Sequence, residues 1–141
     1  MLTEVQNDIL AVLDNLGVFK QCGVWQGNLE DLVKQPQKTP SAHVALASGR
    51  FQRMRTMGDT SPMMNMGWDV IVIYQCLKDR QVSTNQGYGL VEAVVKPVSK
   101  GGLTGLKTEG GMIWPVSLEL IDTVGGITAY AINFDIERNI T

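Results

Sequence analysis

Few residues in this chain are of types that could carry chemistry, and none has the spacing of a catalytic or metal-binding motif. His43 is the single histidine. At a strand position between alanine and valine, it has no partner nucleophile or carboxylate that the sequence identifies. Cys22 and Cys76 lie in strand-like runs without CxxC spacing, which is typical of small buried residues in a reduced, cytoplasmic protein. The clustered ligands that divalent ions need are not seen. We therefore expect no enzyme activity, no cofactor and no metal site.

Two glycine-rich segments are comparable with phosphate-binding loops in composition only. The segment from about residue 99 to 111 follows a predicted helix and precedes a predicted strand, which is the reverse of the order in phosphate-binding loops, and it lacks their Gly-Lys-Ser/Thr ending. It is expected to be a flexible loop. Gly87-Tyr88-Gly89 is interpreted as a helix entry with a packed Tyr88. A small ligand-binding or enzyme domain using His43 or Tyr88 stays as an alternative, which a deep pocket around them would favour.

A loop predicted from about residue 49 to 67 is unusually rich in arginine and methionine. Methionine is common at adaptable binding surfaces, and arginine is enriched in protein–protein contacts. The loop is interpreted either as an interface or as a lid folded back onto the domain. Its candidate interface residues are Arg50, Arg53, Met54, Arg55, Met57, Met63, Met64 and Met66.

The bulk composition narrows the class of protein. A chain of 141 residues with 44% hydrophobic content is predicted to form a single domain over residues 1–141. The net charge of −2 argues against a dedicated nucleic-acid binder. The N-terminus has no signal-peptide pattern, and no apolar run is long enough to cross a bilayer, so no membrane contact is expected.

Hydrophobic periodicity predicts the elements that would position these residues. Val5, Ile9 and Leu13 recur at helical spacing after a capping box at Thr3, and the near-continuous apolar run after Trp68 is typical of a central strand. The predicted helices are Thr3–Leu16, Asn28–Lys34 and Gly87–Lys96, and the predicted strands before the last hairpin are Val18–Trp25, Ser41–Ser48 and Trp68–Leu77.

The end of the chain, Val116 to Arg138, is predicted to be a β-hairpin with a turn at Gly125-Gly126. In its return strand Tyr130, Ile132, Phe134 and Ile136 alternate with small or charged residues, which indicates one buried face. The other face is interpreted as too polar for a core and as a second candidate interface. Its candidate interface residues are Asn133, Asp135 and Glu137.

Together these elements predict an α/β protein of the α+β class. We expect a mostly antiparallel sheet of four to five strands, with the two main helices on one face and the C-terminal hairpin completing the sheet. Its unpaired outer edges would need a cover or a partner.

The chain as a whole resembles the small proteins of Mu-like phages and prophages that are related to tail terminators of long-tailed phages. The resemblance rests on the opening helix from Leu2, the Gly23-Val-Trp-Gln-Gly27 turn and the Pro40-Ser-Ala-His-Val-Ala-Leu strand. It also rests on Gly49-Arg-Phe51, Trp68-Asp-Val-Ile-Val-Ile, the helix from Tyr88 to Val95 and the last strand from Ala129 to Asp135.

The resemblance implies a non-enzymatic virion assembly protein. Such a subunit forms a ring, typically a hexamer, that caps the tail tube and offers a surface for head joining. The implied partners are further copies of itself, the tail tube protein and a head-completion protein, in the host cytoplasm during assembly and then in the virion tail. Another head–tail connector or a baseplate component would share the same fold. The methionine-rich loop departs from many members of the family.

Overall fold

The computed structural model describes residues 2–34, 38–52, 63–76, 79–108, 110–124 and 126–137. Its elements confirm the α+β class. The helices are α1 (Leu2–Leu16), α2 (Leu29–Lys34) and α3 (Arg80–Val95), with a short 3-10 helix at Val98–Lys100. The strands are β1 (Gln21–Val24), β2 (Ser41–Gln52), β3 (Met63–Gln75), β4 (Lys107–Thr108), β5 (Gly111–Val124) and β6 (Ile127–Glu137).

The strands form one mixed sheet in the order β1-β2-β3-β6-β5-β4. β1 and β2 are parallel, and every other neighbouring pair is antiparallel. The sheet has six strands, so the predicted count of four to five was wrong. The missing strand is β4, whose two residues are too few to show any period in the sequence.

α1 and α3 lie on the same side of the sheet, which we call the helix face. Val5, Ile9 and Leu13 of α1 are at most 1% exposed, and they pack in one core with residues of α3. The strand residues in this core include Val70, Val72, Ile132, Phe134 and Ile136. Burial of this apolar layer is the main force that holds the two helices on the sheet.

The opposite face of the sheet carries a second, smaller core beneath α2. Leu32 of α2 packs there with Ile71, Ile73, Ala129 and Ala131. Ala129 is fully buried and Ala131 is 6% exposed. This face of β6 was expected to be too polar for a core. That expectation was wrong for Ala129 and Ala131, because α2 covers these two residues.

The predicted loop from residue 49 to 67 is strand at both of its ends. β2 continues to Gln52 and β3 begins at Met63, and the two strands pair from Gly49↔Met66 to Gln52↔Met63. Cross-strand pairing overrides the weak local pattern there, since no period in the sequence predicts it. The middle of the predicted loop lies outside the described residues.

Helix α3 begins at Arg80, seven residues before the predicted start. Asp79 caps it, because its Oδ1 accepts a hydrogen bond from the backbone N–H of Val82 at 3.0 Å. The stretch before Gly87 was predicted to be a connection because its residues are mostly polar, and Gly87 was interpreted as the helix entry. The helix ends at Val95, two residues before Pro97 and one residue before its predicted end at Lys96.

The glycine-rich segment after α3 has more structure than predicted. The backbone N–H of Leu103 donates to the carbonyl of Val94 at 2.9 Å, and Thr104 Oγ1 donates to the carbonyl of Val95 at 2.6 Å. A side chain on Gly102 would collide with the carbonyl group of Lys96. The glycine therefore permits close backbone packing instead of flexibility.

The hairpin of β5 and β6 has the predicted two-residue turn. Val124 pairs with Ile127 across it, and Gly126 has φ of 82°, which glycine adopts without strain. β5 begins at Gly111, five residues before the predicted start. Register shifts at Val116 and Ile121 mark β-bulges that bend this strand.

Candidate assembly surface

The outer side of β5 is an open strand edge. β4 pairs with β5 only at Lys107↔Met112 and Thr108↔Gly111. From Trp114 to Ile121, no strand among the described residues pairs with this side. An unpaired edge presents a row of backbone N–H and C=O groups that can add a strand from another chain.

This edge also carries large apolar side chains that face solvent. The exposed fractions are 57% for Trp114, 57% for Val116, 51% for Leu118 and 55% for Leu120. Single exposed apolar residues are normal, but a contiguous apolar row on an open edge marks an interaction site. We call the segment from Trp114 to Ile121 the β5 edge.

The register explains why these side chains are uncovered. Leu118 pairs with Ile132 and Leu120 pairs with Tyr130, so both leucines lie on the helix face. Ile132 is only 2% exposed in the core shared with α3, whereas Leu118 lies one strand further out. Trp114 pairs with Asp135 and lies on the opposite face. The β5 edge therefore exposes Leu118 and Leu120 on the helix face and Trp114 on the opposite face, which also carries Ser117 and Glu119.

Sequence reasoning did not identify this surface. Val116, Leu118 and Leu120 were included in the hairpin, where alternating apolar residues predict a buried face. The only available signal was their position in a strand whose outer side is mostly unpaired, and that position depends on pairing between distant segments.

Three of the predicted interface residues meet at one polar depression near the ends of β2, β3 and β6. Arg50, Met66 and Asp135 all line it, and its volume is about 460 Å³. Next to it, Asn133 Nδ2 donates a hydrogen bond to Asp69 Oδ1 at 3.0 Å. Arg50 and Asp135 are exposed, so opposite charges border the depression.

The two loop methionines whose side chains the structure describes are largely covered. Met66 is 2% exposed and belongs to the main core, and Met64 is half-buried against that core. Arg53, Met54, Arg55 and Met57 lie outside the described residues, and so do the side chains of Met63 and Glu137. An interface role for them stays a prediction.

A groove of about 380 Å³, lined by both apolar and polar residues, lies near the other edge of the sheet. Its rim includes Leu2, Val24 and Leu46, which are 39%, 52% and 44% exposed. Trp25 and Trp68 also line it. We call it the β1 groove. Trp68 Nε1 is buried with no hydrogen-bond partner in the part of the chain that the structure describes.

His43 is buried beside a serine. It is 5% exposed, and its Nε2 is 3.2 Å from Ser41 Oγ, which is also buried. Burial lowers the pKa of His43, because it penalises the charged ring. Neither His43 nor Tyr88 lines the depression beside Arg50 or the β1 groove, and Tyr88 is 51% exposed. No deep pocket around these two residues is seen among the described residues.

Cys22 is not an activated nucleophile. Burial and the neighbouring carboxylate of Asp14 raise its pKa to about 12, so the thiol stays protonated at neutral pH. Within the described ranges, no group of three or more His, Cys, Asp or Glu side chains is placed to hold a metal ion. No helix in those ranges combines the length and apolar character needed to span a membrane.

Comparisons with known proteins identify no family. No protein-family model matches the chain, and no curated protein matches it. Among solved structures, a chain of the "Virion of native gene transfer agent (GTA) particle" is similar over 91% of this chain and 81% of that chain. The sequence identity is 10% and the TM-score is 0.43. A likeness at this level does not establish function, so the proposal below depends on the molecule's own surface and on the sequence resemblance.

Proposed function

We propose that this chain is a non-enzymatic virion assembly protein. It is a tail-terminator-like ring subunit that caps the tail tube and offers a surface for head joining. It acts in the host cytoplasm during assembly and then in the virion tail. The sequence resemblance suggests this role, and the open β5 edge is the single structural observation that carries it.

The β5 edge supports assembly because it combines unpaired backbone groups with exposed apolar side chains. Either feature alone is common on soluble proteins. Together they form a strand that exposes both hydrogen-bonding groups and hydrophobic surface, which a second protein would cover. Heterologous contacts between identical subunits close into a ring when the rotation between neighbours permits.

The polar depression beside Arg50 and Asp135 is a separate surface, and we assign it to the tail tube or to the head-completion protein. Its charged border suits a contact that forms late and specifically, because electrostatic complementarity contributes more to specificity than to affinity. With the depression assigned to these partners, the β5 edge forms the contacts between subunits.

The decisive experiment is electron microscopy of tails assembled without this protein. Overlong tails that shorten to normal length when the protein is added back would support termination. Tails of normal length that fail to join heads would favour another connector role. Tails that never start would favour a baseplate component.

A second measurement tests the ring directly. Mass photometry or analytical ultracentrifugation of the purified protein, alone and with tail tubes, should show a closed oligomer of defined mass. A strictly monomeric protein at high concentration, with no binding to tube ends, would contradict the proposal.

A further inference from the structure

We infer that copies of this chain associate head to tail, with the β5 edge of one copy seated in the β1 groove of the next. This inference rests on the proposed function, because it names the two surfaces that would form the ring contact. The occupant of each surface is a second copy of this chain.

The placement of the two surfaces favours this contact. β1 is the first strand in the sheet order. The β5 edge lies at the other end of that order, where the short β4 leaves most of β5 unpaired. The two surfaces are therefore at opposite edges of one sheet. Each copy can engage two neighbours at once, and association continues until a ring closes.

Both surfaces also present apolar residues on the same side of the sheet. Val24 pairs with Val44, a residue of the core beneath α1, so the β1 groove opens on the helix face. Leu118 and Leu120 lie on the helix face as well. When the sheets of two copies continue side by side in the same sense, these apolar residues meet on one side.

The charges at the two edges are of opposite sign. Between Trp114 and Ile121 the only charged residue is Glu119, which is exposed. Between Lys20 and Trp25 the only charged residue is Lys20, which is exposed and precedes β1, at the end of the strand away from the groove. The carboxylate of Asp14 in α1 lies beside Cys22 of β1. Pairing of the β5 edge with itself would instead bring two copies of Glu119 close together, and like charges on paired strands are destabilising.

A self-paired β5 edge would leave the β1 groove uncovered. The groove would keep its exposed apolar rim and the Trp68 indole N–H, which has no acceptor among the described residues. Head-to-tail association covers both apolar surfaces with one type of contact.

The test uses one variant at each surface. Val24→Lys places a charge on the rim of the β1 groove, and Leu118→Lys places one on the β5 edge, as natural edge strands do to prevent pairing. Val98→Lys is the matched control, because Val98 is 43% exposed and lines neither surface. Circular dichroism and thermal unfolding verify that each variant folds. If a lysine variant fails to fold, the serine variant at the same position replaces it.

The expected result is complementation between the two variants. Val24→Lys and Leu118→Lys should each be monomeric in sedimentation-velocity ultracentrifugation, whereas Val98→Lys should assemble as the parent does. An equimolar mixture, well above the concentration at which the parent assembles, should give a species of twice the monomer mass and nothing larger. In that species the intact edge of one variant occupies the intact groove of the other.

Two outcomes would overturn the inference. If Val24→Lys assembles like the parent while Leu118→Lys does not, the β5 edge pairs with itself or with another surface. If the mixture of folded variants stays monomeric, the two surfaces do not bind each other. In both cases the proposed function survives when the parent still forms an oligomer and ends tails. A parent that neither assembles nor affects tail length refutes the proposed function first.

Discussion

β3 and β5 are both long strands of the same sheet, but the apolar side chains at the centre of β3 are buried whereas several of those on β5 are exposed. Val70, Ile71, Val72 and Ile73 of β3 are at most 1% exposed, because helices cover both faces of the sheet there. Val116, Leu118 and Leu120 of β5 are more than half exposed. The strands differ in pattern and in position. β3 contains a near-continuous apolar run and has neighbours on both sides, whereas β5 alternates apolar with polar residues and has one neighbour over most of its length.

The difference shows that apolar alternation in a sequence predicts a strand but not what covers it. In β3 the apolar residues stabilise the folded chain by leaving water. In β5 the same residue types contribute little to the stability of a single copy and are available to stabilise a complex. Each prediction below compares residues whose chemistry is similar and whose burial differs.

The largest expected effect is on truncation of a central residue. Ile71→Ala should lower the free energy of unfolding by about 2–5 kcal/mol, because it leaves a cavity in the core beneath α2. Leu118→Ala should change the stability of the monomer by less than about 0.5 kcal/mol. Urea unfolding of the monomeric species measures both. If Ile71→Ala and Leu118→Ala lowered the free energy of unfolding equally, Leu118 would be buried within a single copy of the chain.

The next effect separates two methionines at the ends of the predicted loop. Met66→Ser should cost at least about 2 kcal/mol, since Met66 is buried in the core. Met64→Ser should cost less, because Met64 is only half-buried. Chemical denaturation compares the two variants. A small effect of both substitutions would favour the interface interpretation of these residues over the lid.

Two glycines of α3 provide a pair with opposite expected signs. A Cβ on Gly87 would collide with the Tyr74 hydroxyl and lie 2.7 Å from its ring, so Gly87→Ala should destabilise by about 1–3 kcal/mol. A Cβ on Gly89 would meet nothing within 4 Å, so Gly89→Ala should stabilise by up to about 1 kcal/mol. Shifts of the melting temperature in opposite directions verify this. Shifts in the same direction would contradict the packing of α3 on β3.

The smallest effect is the pH dependence that His43 contributes beside β3. Burial keeps the pKa of His43 below its usual 6.5 in the folded chain, while the unfolded chain titrates near 6.5. Its contribution to stability is therefore present above pH 6.5 and is lost as the pH falls through the folded-state pKa. Urea unfolding at about pH 7.5 and about pH 5.5 should show a smaller loss for His43→Gln than for the parent. If the parent and His43→Gln lose the same amount of stability between the two pH values, the loss comes from titrating groups other than His43.

The sequence predicts those parts of the fold that local patterns determine. α1, the two-residue turn at Gly125-Gly126 and the buried stripe of β6 follow from periodicity and turn chemistry. The early start of α3 was missed because the residues before Gly87 are mostly polar and Gly87 was interpreted as the helix entry, although it lies inside the helix where α3 packs closely on Tyr74. β4 and the outer parts of β2 and β3 depend on pairing with a neighbour, and no local pattern encodes that.

Only some features of the candidate surface were predicted from the sequence. That sheet edges would need partners was an expectation from the sequence, and Arg50, Met66 and Asp135 do share one depression. The identity of the open edge depends on strand order, which places the last strand between β3 and β5. That order is a property of the whole chain and cannot be deduced from any one segment.

The same strand order has a consequence for synthesis on the ribosome. β6, which follows the other five described strands in the chain, joins β1-β2-β3 to β5-β4, so the two parts of the sheet stay separate until it is synthesised. Until then the nascent chain exposes the apolar edges of both β3 and β5. Translation that stalls before Ile127 would therefore release a chain prone to aggregate, and the assembly edge of β5 would form only on a chain already long enough to fold.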